Sequence, residues 1–487
     1  DNNNRTFDYY IPNTYFQKET HADTLPKWTG WDKIYPKYTA KVTLPQAYKD
    51  KKVKIKNVII DPGYRLADAN ILNNSKKGKV EWRFDSHVWN FPEWKKYIIY
   101  YRPDIWWNGF DGLKLGWHLN GNYMNRKHIF SFTAWYNTRL LQGNVPSLAG
   151  RKFYTNDRIS FNFAYKTVLD RKLKNTDLSI QARYLDGLVL GKIQIDKQFN
   201  NGIKSYINYK RMIRPEANDA DYLLYSNEWS NGQCNGSVEG GLSYDFRTKK
   251  GDYSGTVALT ARTSASPVMN YQYATFEFKD KYSFWRMDLK SRLFVRMGTK
   301  NPPPESALYF AGANGEEMVE NKYVRAAGFY PKQWVGSYGA VVNHFHYGGG
   351  LNMRGYSGYL LYETDNTGAV NNAYRGNSGA AMNIELDFDR IIKWKKLPKL
   401  KKYFDIDTYL FADAGTIRYT TTGNNQKWSN FRADAGAGIS FTIKRWLNLY
   451  DVKPFTIRFD VPFYISHAPP GENNVKFRWP IGINRAF

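Results

Sequence analysis

The segment that most constrains the fold is residues 475–487. Read in twos, Val475, Phe477, Trp479, Ile481, Ile483 and Phe487 fall on one side, and Lys476, Arg478, Gly482 and Asn484 on the other. Side chains of an extended chain alternate between faces, so this is a strand with one apolar and one wet side. Either a protein core or lipid can cover such a side. A terminal aromatic residue closing the strand fits a transmembrane barrel, with the apolar face toward lipid.

The same alternation recurs along the chain. Ile159, Phe161, Phe163 and Tyr165 form one apolar stripe, Val257, Leu259 and Ala261 another, and Phe455, Ile457, Phe459, Val461 and Phe463 a third. Turn clusters such as Asn200-Asn201-Gly202 and Lys249-Lys250-Gly251-Asp252 separate these runs. No helical period of comparable length occurs, and no run approaches the roughly 20 apolar residues that a spanning helix needs. The aromatic share of 17% suits a barrel whose rings gather at the two membrane interfaces. Residues 79–487, at roughly 25 residues per strand and connection, therefore predict an all-β, antiparallel transmembrane barrel of about 16 strands in the outer membrane. Residues 1–78 lack steady alternation and predict a small N-terminal β segment, placed on the periplasmic side.

Charge is the unexpected feature. Lys and Arg number 70 against 44 Asp and Glu, a net +26. The basic residues are dispersed, clustering only at 49–56, 76–79 and 393–402, and no aromatic-and-basic platform accompanies them. They are read as solvated loops and as contacts to lipid and lipopolysaccharide phosphates, with no nucleic-acid partner. A lone Cys234 permits no internal disulfide.

One connection, 298–378, is far longer than the rest, and a loop of roughly 75 residues in a compact barrel is usually functional. It carries Gly348-Gly349-Gly350, which lets backbone approach backbone, and then Met353-Arg354-Gly355-Tyr356. The next strands give the arginine a purpose. One has Asn383, Glu385 and Asp387 on its polar side; the next has Asp407, Tyr409, Phe411 and Asp413; a third has Arg432, Asp434, Gly436 and Gly438. Carboxylates crowded on one lumen wall need a cation, and a loop delivering Arg354 inward supplies a planar fork for two of them.

Arg354-Gly355-Tyr356 in a long loop, Phe411-Ala412-Asp413-Ala414-Gly415 on a later strand, Gly379 with Glu385 between them and the terminal Phe487 together resemble the BamA/TamA barrel superfamily. That superfamily, also called bacterial surface antigen barrels, includes outer-membrane assembly factors and two-partner-secretion transporters. The resemblance implies that the loop is the sixth extracellular one and that Arg354 folds inward against Asp413 and Glu385, beside Phe411 and Gly415. It also implies a seam where first and last strands meet. Partners would be the outer-membrane assembly machinery, other outer-membrane subunits or client polypeptides. The stretch between Leu308-Tyr309-Phe310 and Gly348 departs from the superfamily's compact loop.

Near the N-terminus, Val53 to Pro62 reads as a strand. Asp61-Pro62, Arg65-Leu66-Ala67-Asp68, Asn70 and Asn73-Asn74 resemble the last β segment of an aminopeptidase N-like gluzincin. Among the 7 histidines there is no His-Glu-x-x-His, so the zinc site and catalysis of that family have no counterpart in these residues. Zinc and peptidase activity would require sequence upstream of Asp1; the polar start of the chain is expected either from a removed signal peptide or from a cut out of something longer. His344 and His346 have a metal-compatible spacing but read better as packed loop residues, and Glu385 with Asp413 reads as an arginine-neutralised pair rather than an acid and base. Three functions fit these residues: a barrel that anchors or conducts a peptidase-like domain, an assembly or translocation factor, and a structural subunit of an outer-membrane complex.

Overall fold

The computed structural model describes residues 6–12, 19–28, 37–42, 55–66, 68, 70–88, 90, 93–108, 111–141, 158–169, 173–185, 187–215, 229–230, 232–325, 345–357, 361–364, 370–388, 391, 402–421, 423–445, 454–468 and 471–487. Two compact units emerge, one of residues 1–81 with 93–97 and one of residues 82–92 with 98–487.

The larger unit is a closed barrel. Its main strands are β1 (Tyr97–Asn108), β2 (Gly112–Tyr123), β3 (Lys127–Asn137), β4 (Ile159–Val168), β5 (Thr176–Leu185), β6 (Leu188–Gln198), β7 (Ile203–Ile213) and β8 (Asn235–Arg247). They continue with β9 (Tyr253–Ser264), β10 (Gln272–Phe284), β11 (Met287–Thr299), β12 (Ser378–Asp387), β13 (Phe404–Thr420), β14 (Arg432–Ile443), β15 (Phe455–Ile465) and β16 (Ile481–Ile483). Consecutive strands pair antiparallel throughout. Three short segments, Val80–Phe84, Phe345–Tyr347 and Gln426–Trp428, join the same sheet. In the strand order Val80–Phe84 stands between β16 and β1, and Asp85 N–H donates to Tyr101 O at 2.9 Å beside it.

Alternation sorts the wall into two faces. Ile105, Leu115, Trp117, Ile193, Ile207, Leu242, Leu259, Met297 and Leu410 are exposed on the outside, while Lys114, Arg183, Arg262, Arg292, Asn383 and Asp413 are buried on the inside. An apolar exterior around a polar lumen is stable only in a bilayer, where a closed sheet leaves no unpaired edge in hydrocarbon. The protein is an outer-membrane β-barrel. Where strands β13 and β14 meet, Tyr409 and Phe411 lie flat over Gly438 and Gly436, and a Cβ at either glycine would collide with the ring.

The chain end departs from the alternating pattern. Residues 474–480 run beside β15 through Lys476 N–H to Phe463 O and Asp460 N–H to Pro480 O, both 3.0 Å, and Val475 and Phe477 face outward. Trp479 stacks on Phe459 at 6.0 Å. After Ile483, which is buried, Asn484 takes a left-handed φ of 66° and turns the chain out of the strand. Phe487 therefore does not share the lipid face with Phe477: its ring lies 5.8 Å from the Arg354 guanidinium.

In the smaller unit, Tyr9–Tyr10 pairs in parallel with Asp23–Thr24, and Ile71–Asn74 forms a 3-10 turn. The strand expected from Val53 to Pro62 is, among its described residues, a single bridge between Ile59 and Ser75. Asp61 instead opens a turn. Backbone N–H groups of Arg65 and Leu66 hold its carboxyl below the usual carboxylate range, the latter at 2.7 Å.

Candidate functional site

Register places the site. Across β12, β13 and β14, Asn383 is level with Asp413 and Asp413 with Asp434; one step along, Glu385 is level with Phe411 and Phe411 with Gly436. The long loop between β11 and β12 drops a short 3-10 turn, Arg354–Tyr356, onto this patch. Arg354 is fully buried. Its Nε and Nη2 donate to the two oxygens of Asp413, each at 2.8 Å, and its Nη1 donates to Glu385 Oε1 at 2.5 Å. Its backbone N–H reaches Asp413 Oδ2 at 3.2 Å, and its guanidinium lies 4.0 Å from the Phe411 ring centre. A planar fork meeting one carboxylate with two parallel bonds is the geometry that only arginine offers.

The neighbouring motif residues are set by the same fit. A Cβ on Gly355 would stand 2.5 Å from Asp434 Cβ and 2.8 Å from Ile465 Cγ2, so only glycine lets the turn sit down. Met353 is buried in a core with Phe310, Leu351, Ile417 and Ile465. Tyr356 packs edge-on to Phe310 at 5.6 Å, and its hydroxyl pairs with Ser466 Oγ at 3.1 Å. Gly415, level with Ala381, lies in close backbone contact with β12. The structure thus brings Met353, Arg354, Gly355, Tyr356, Glu385, Phe411, Asp413 and Phe487 together, and leaves Phe477 and Trp479 on the outer wall.

Several partners escaped the sequence reading. Asn383 Nδ2 donates to Asp413 Oδ1 at 3.0 Å and to Leu351 O and Asn352 O. Arg485, in the inward-turned tail, donates to Glu385 Oε2 at 2.7 Å and Asp387 Oδ1 at 3.3 Å, so Glu385 is shared by two arginines. Lys290 reaches Asp387 at 2.5 Å. The alternation of 475–487 concealed Arg485 because a strand would have turned it elsewhere. Asn383, two residues from Glu385 on the same strand, was legible as a neighbour but not as a donor.

The loop also grips the opposite wall. Glu305 accepts from Ser230 N–H, Ser230 Oγ and Asn235 Nδ2, each at 2.9 Å. Glu316, on the turn Gly315–Met318, accepts from Arg262 at 2.8 Å and pairs with Lys210. Arg183 donates to Val319 O at 3.1 Å. The loop therefore crosses the lumen from β5–β9 to β11–β15. Against β3–β6 a cavity of about 380 Å³ stays open, lined by Ser131, Ala164, Lys166, Gln181, Lys192 and Gln194 among others. His346 is buried against Arg458, while His344 lies outside the described residues, as do 49–54 and 393–401 of the basic clusters. No group of three or more metal-ligating side chains occurs among the described residues.

No protein-family model and no curated protein matches the chain. Among solved structures it is similar to BamA from Haemophilus ducreyi lacking POTRA domains 1–3, at 11% identity and TM-score 0.41 over 78% of this chain and 69% of that one. It is also similar to CdiB from Escherichia coli, at 10% identity and TM-score 0.38 over 80% and 63%. A third, OccAB4 from Acinetobacter baumannii, gives 10% identity and TM-score 0.33 over 73% and 71%.

Proposed function

We propose that the protein handles other polypeptides at the outer membrane, as an assembly or translocation barrel whose lumen is closed by its own long loop. The observation that carries this reading is the seating of Arg354-Gly355-Tyr356 on Glu385, Phe411 and Asp413, the pairing that the resemblance to the BamA/TamA superfamily implies. A buried arginine neutralising two carboxylates costs desolvation and is retained where a defined loop position is needed. A plug held at both walls also suits a gated conduit better than a free pore. The loop would lie toward the cell exterior, and residues 1–78 toward the periplasm.

The test is depletion of the protein in its native host, with quantitative proteomics of the outer membrane and the culture medium. Selective loss of particular barrel or secreted proteins, restored by wild type but not by Arg354→Ala at matched level, supports the reading. An unchanged profile in both fractions overturns it.

Anchoring of a zinc peptidase domain rests on the Asp61-to-Asn74 resemblance alone, and none of the comparisons supports it. Its check is an aminoacyl fluorogenic assay of the zinc-loaded chain beside its full precursor. Inactivity of both removes that alternative.

A further inference from the structure

Part of the chain's basic excess lines the lumen, and the long loop shows what those cations bind. On β5, β7 and β9, Arg183, Lys210 and Arg262 each meet a loop carboxylate. Arg183 donates to Glu320 Oε2 at 3.4 Å, Lys210 pairs with Glu316, and Arg262 donates to Glu316 Oε2 at 2.8 Å. On β6, between β5 and β7, Lys192 stands level with Lys210. Among the described residues its ammonium has no hydrogen bond or ion pair.

The cavity of about 380 Å³ opens beside that lysine. Register explains the space. Ser131, Ala164, Gln181 and Lys192 stand level across β3 to β6, and Lys166 is level with Ser179 one step along. Ala164 is too short to reach from Ser131 to Gln181, so the row has a gap at its second member. Among the described residues, the side chains of Ser131, Ser179 and Gln181 also lack hydrogen-bond partners. Unpartnered donors grouped around one unmatched ammonium suit a ligand with negative charge and acceptor oxygens.

The surroundings limit that charge. Asp177 and Asp196 stand level on β5 and β6, where Lys166 pairs with Asp177 at 2.9 Å and Gln194 donates to Asp196 at 2.7 Å. A doubly charged phosphate would be repelled by that pair, and no arginine fork lines the cavity among the described residues. A carboxylate fits better: its single charge matches Lys192, and its second oxygen is left for Gln181 or a serine.

We propose that this cavity binds an acidic side chain of an extended polypeptide segment, with Lys192 as the charge partner. This rests on the polypeptide-handling reading above and adds the class of segment handled. Lys166 and Ser179 flank the 169–175 connection, at the barrel end opposite the long loop. A segment entering from that end meets the cavity before it meets the loop. The carboxylates of Glu316 and Glu320 then occupy the neighbouring cations in the manner of a client.

The test uses the full chain in nanodiscs, with heat-modifiable migration as the check of a folded barrel. The probe is a fluorescent peptide with the sequence of residues 314–320, Asn-Gly-Glu-Glu-Met-Val-Glu, read by anisotropy. It should bind wild type saturably, and the same peptide with every Glu replaced by Gln should bind about tenfold more weakly or worse. Lys192→Gln should lose about tenfold or more, while Lys192→Arg should stay within about threefold of wild type. Ala164→Trp fills the gap, keeps every charge and should lose as much as Lys192→Gln. Lys249→Gln, on a turn outside the cavity, should bind as wild type does.

No saturable binding by folded wild type, equal binding of the Glu and Gln peptides, or undiminished binding by Lys192→Gln overturns the proposal and leaves the function reading standing. Displacement by free glutarate at the peptide's own concentration overturns the polypeptide source, since a small carboxylate is then the ligand. Loss of binding at Lys192 together with unchanged proteomes on depletion sinks the function reading instead.

Discussion

Two walls of the barrel treat the lumen differently. Along β12 to β14, Asn383, Glu385, Asp413 and Asp434 are buried; the loop brings Arg354 to Glu385 and Asp413, and the chain end brings Arg485 to Glu385. Along β3 to β6, Lys166 and Lys192 line an open cavity, and Lys166 pairs with Asp177 at 2.9 Å in a half-exposed position. Both walls alternate apolar and polar residues, and both carry charge. What separates them is water. Charges that keep their hydration gain little from pairing, whereas charges stripped of it must be matched group for group.

Breaking the buried wall should therefore cost most. Arg354→Ala leaves Asp413 and Glu385 with fewer partners in a dry site and should lower stability by about 3–5 kcal/mol. The urea midpoint of heat-modifiable migration reads this directly, and a shift no larger than that of a surface lysine variant would remove the distinction between the walls. Arg354→Lys should recover only part of the loss, because an ammonium cannot span both Asp413 oxygens.

Gly355→Val comes next. It preserves every charge but forces the turn away from Asp434 and Ile465, an overpacking cost of about 1–3 kcal/mol. Protease sensitivity of the loop should rise with it, and a loop as resistant as wild type would show that the seat is looser than its spacing implies.

Arg485→Ala should cost about 1.5–3 kcal/mol at most, the range for hydrogen bonds to charged groups, since Glu385 keeps Arg354 and Asp387 keeps Lys290. Combined with Arg354→Ala the loss should exceed the sum of the two, because Glu385 then loses both arginines; additive losses in that double-mutant cycle would mean that the two arginines act independently. Lys192→Ala, on the open wall, should stay within about 0.5 kcal/mol by the same migration assay.

Legibility tracked the range of each interaction. Alternation in runs such as 159–165 and 455–463 marked β4 and β15, because which face a side chain takes is a local property of an extended chain. Alternation put the carboxylates on one lumen wall and called for an inward Arg354, but which of them it meets came only from the motif, for spacing alone does not say that Asn383, Asp413 and Asp434 share one row. The N-terminal strand expected up to Pro62 failed at its end, where Asp61 takes a left-handed φ of 48° and turns the chain so that its carboxyl accepts from Leu66 N–H. The inward tail failed for a related reason: Ile483 and Phe487 fit the outer stripe by count, but the left-handed Asn484 rotates residues 485–487 away from it.

What the sequence by itself determined is the strand period, the two-faced wall, the length of the one exceptional loop and the residue types able to close a charged lumen. Those are set residue by residue, by side-chain direction and polarity. Only the tertiary structure decided the rest: which carboxylates stand level, that Arg485 returns to share Glu385, that Glu305 and Glu316 carry the loop to the far wall, and that Phe345–Tyr347 pairs in parallel with β16. These join residues far apart in the chain, and strand register and chain turns, which no local pattern encodes, bring them together.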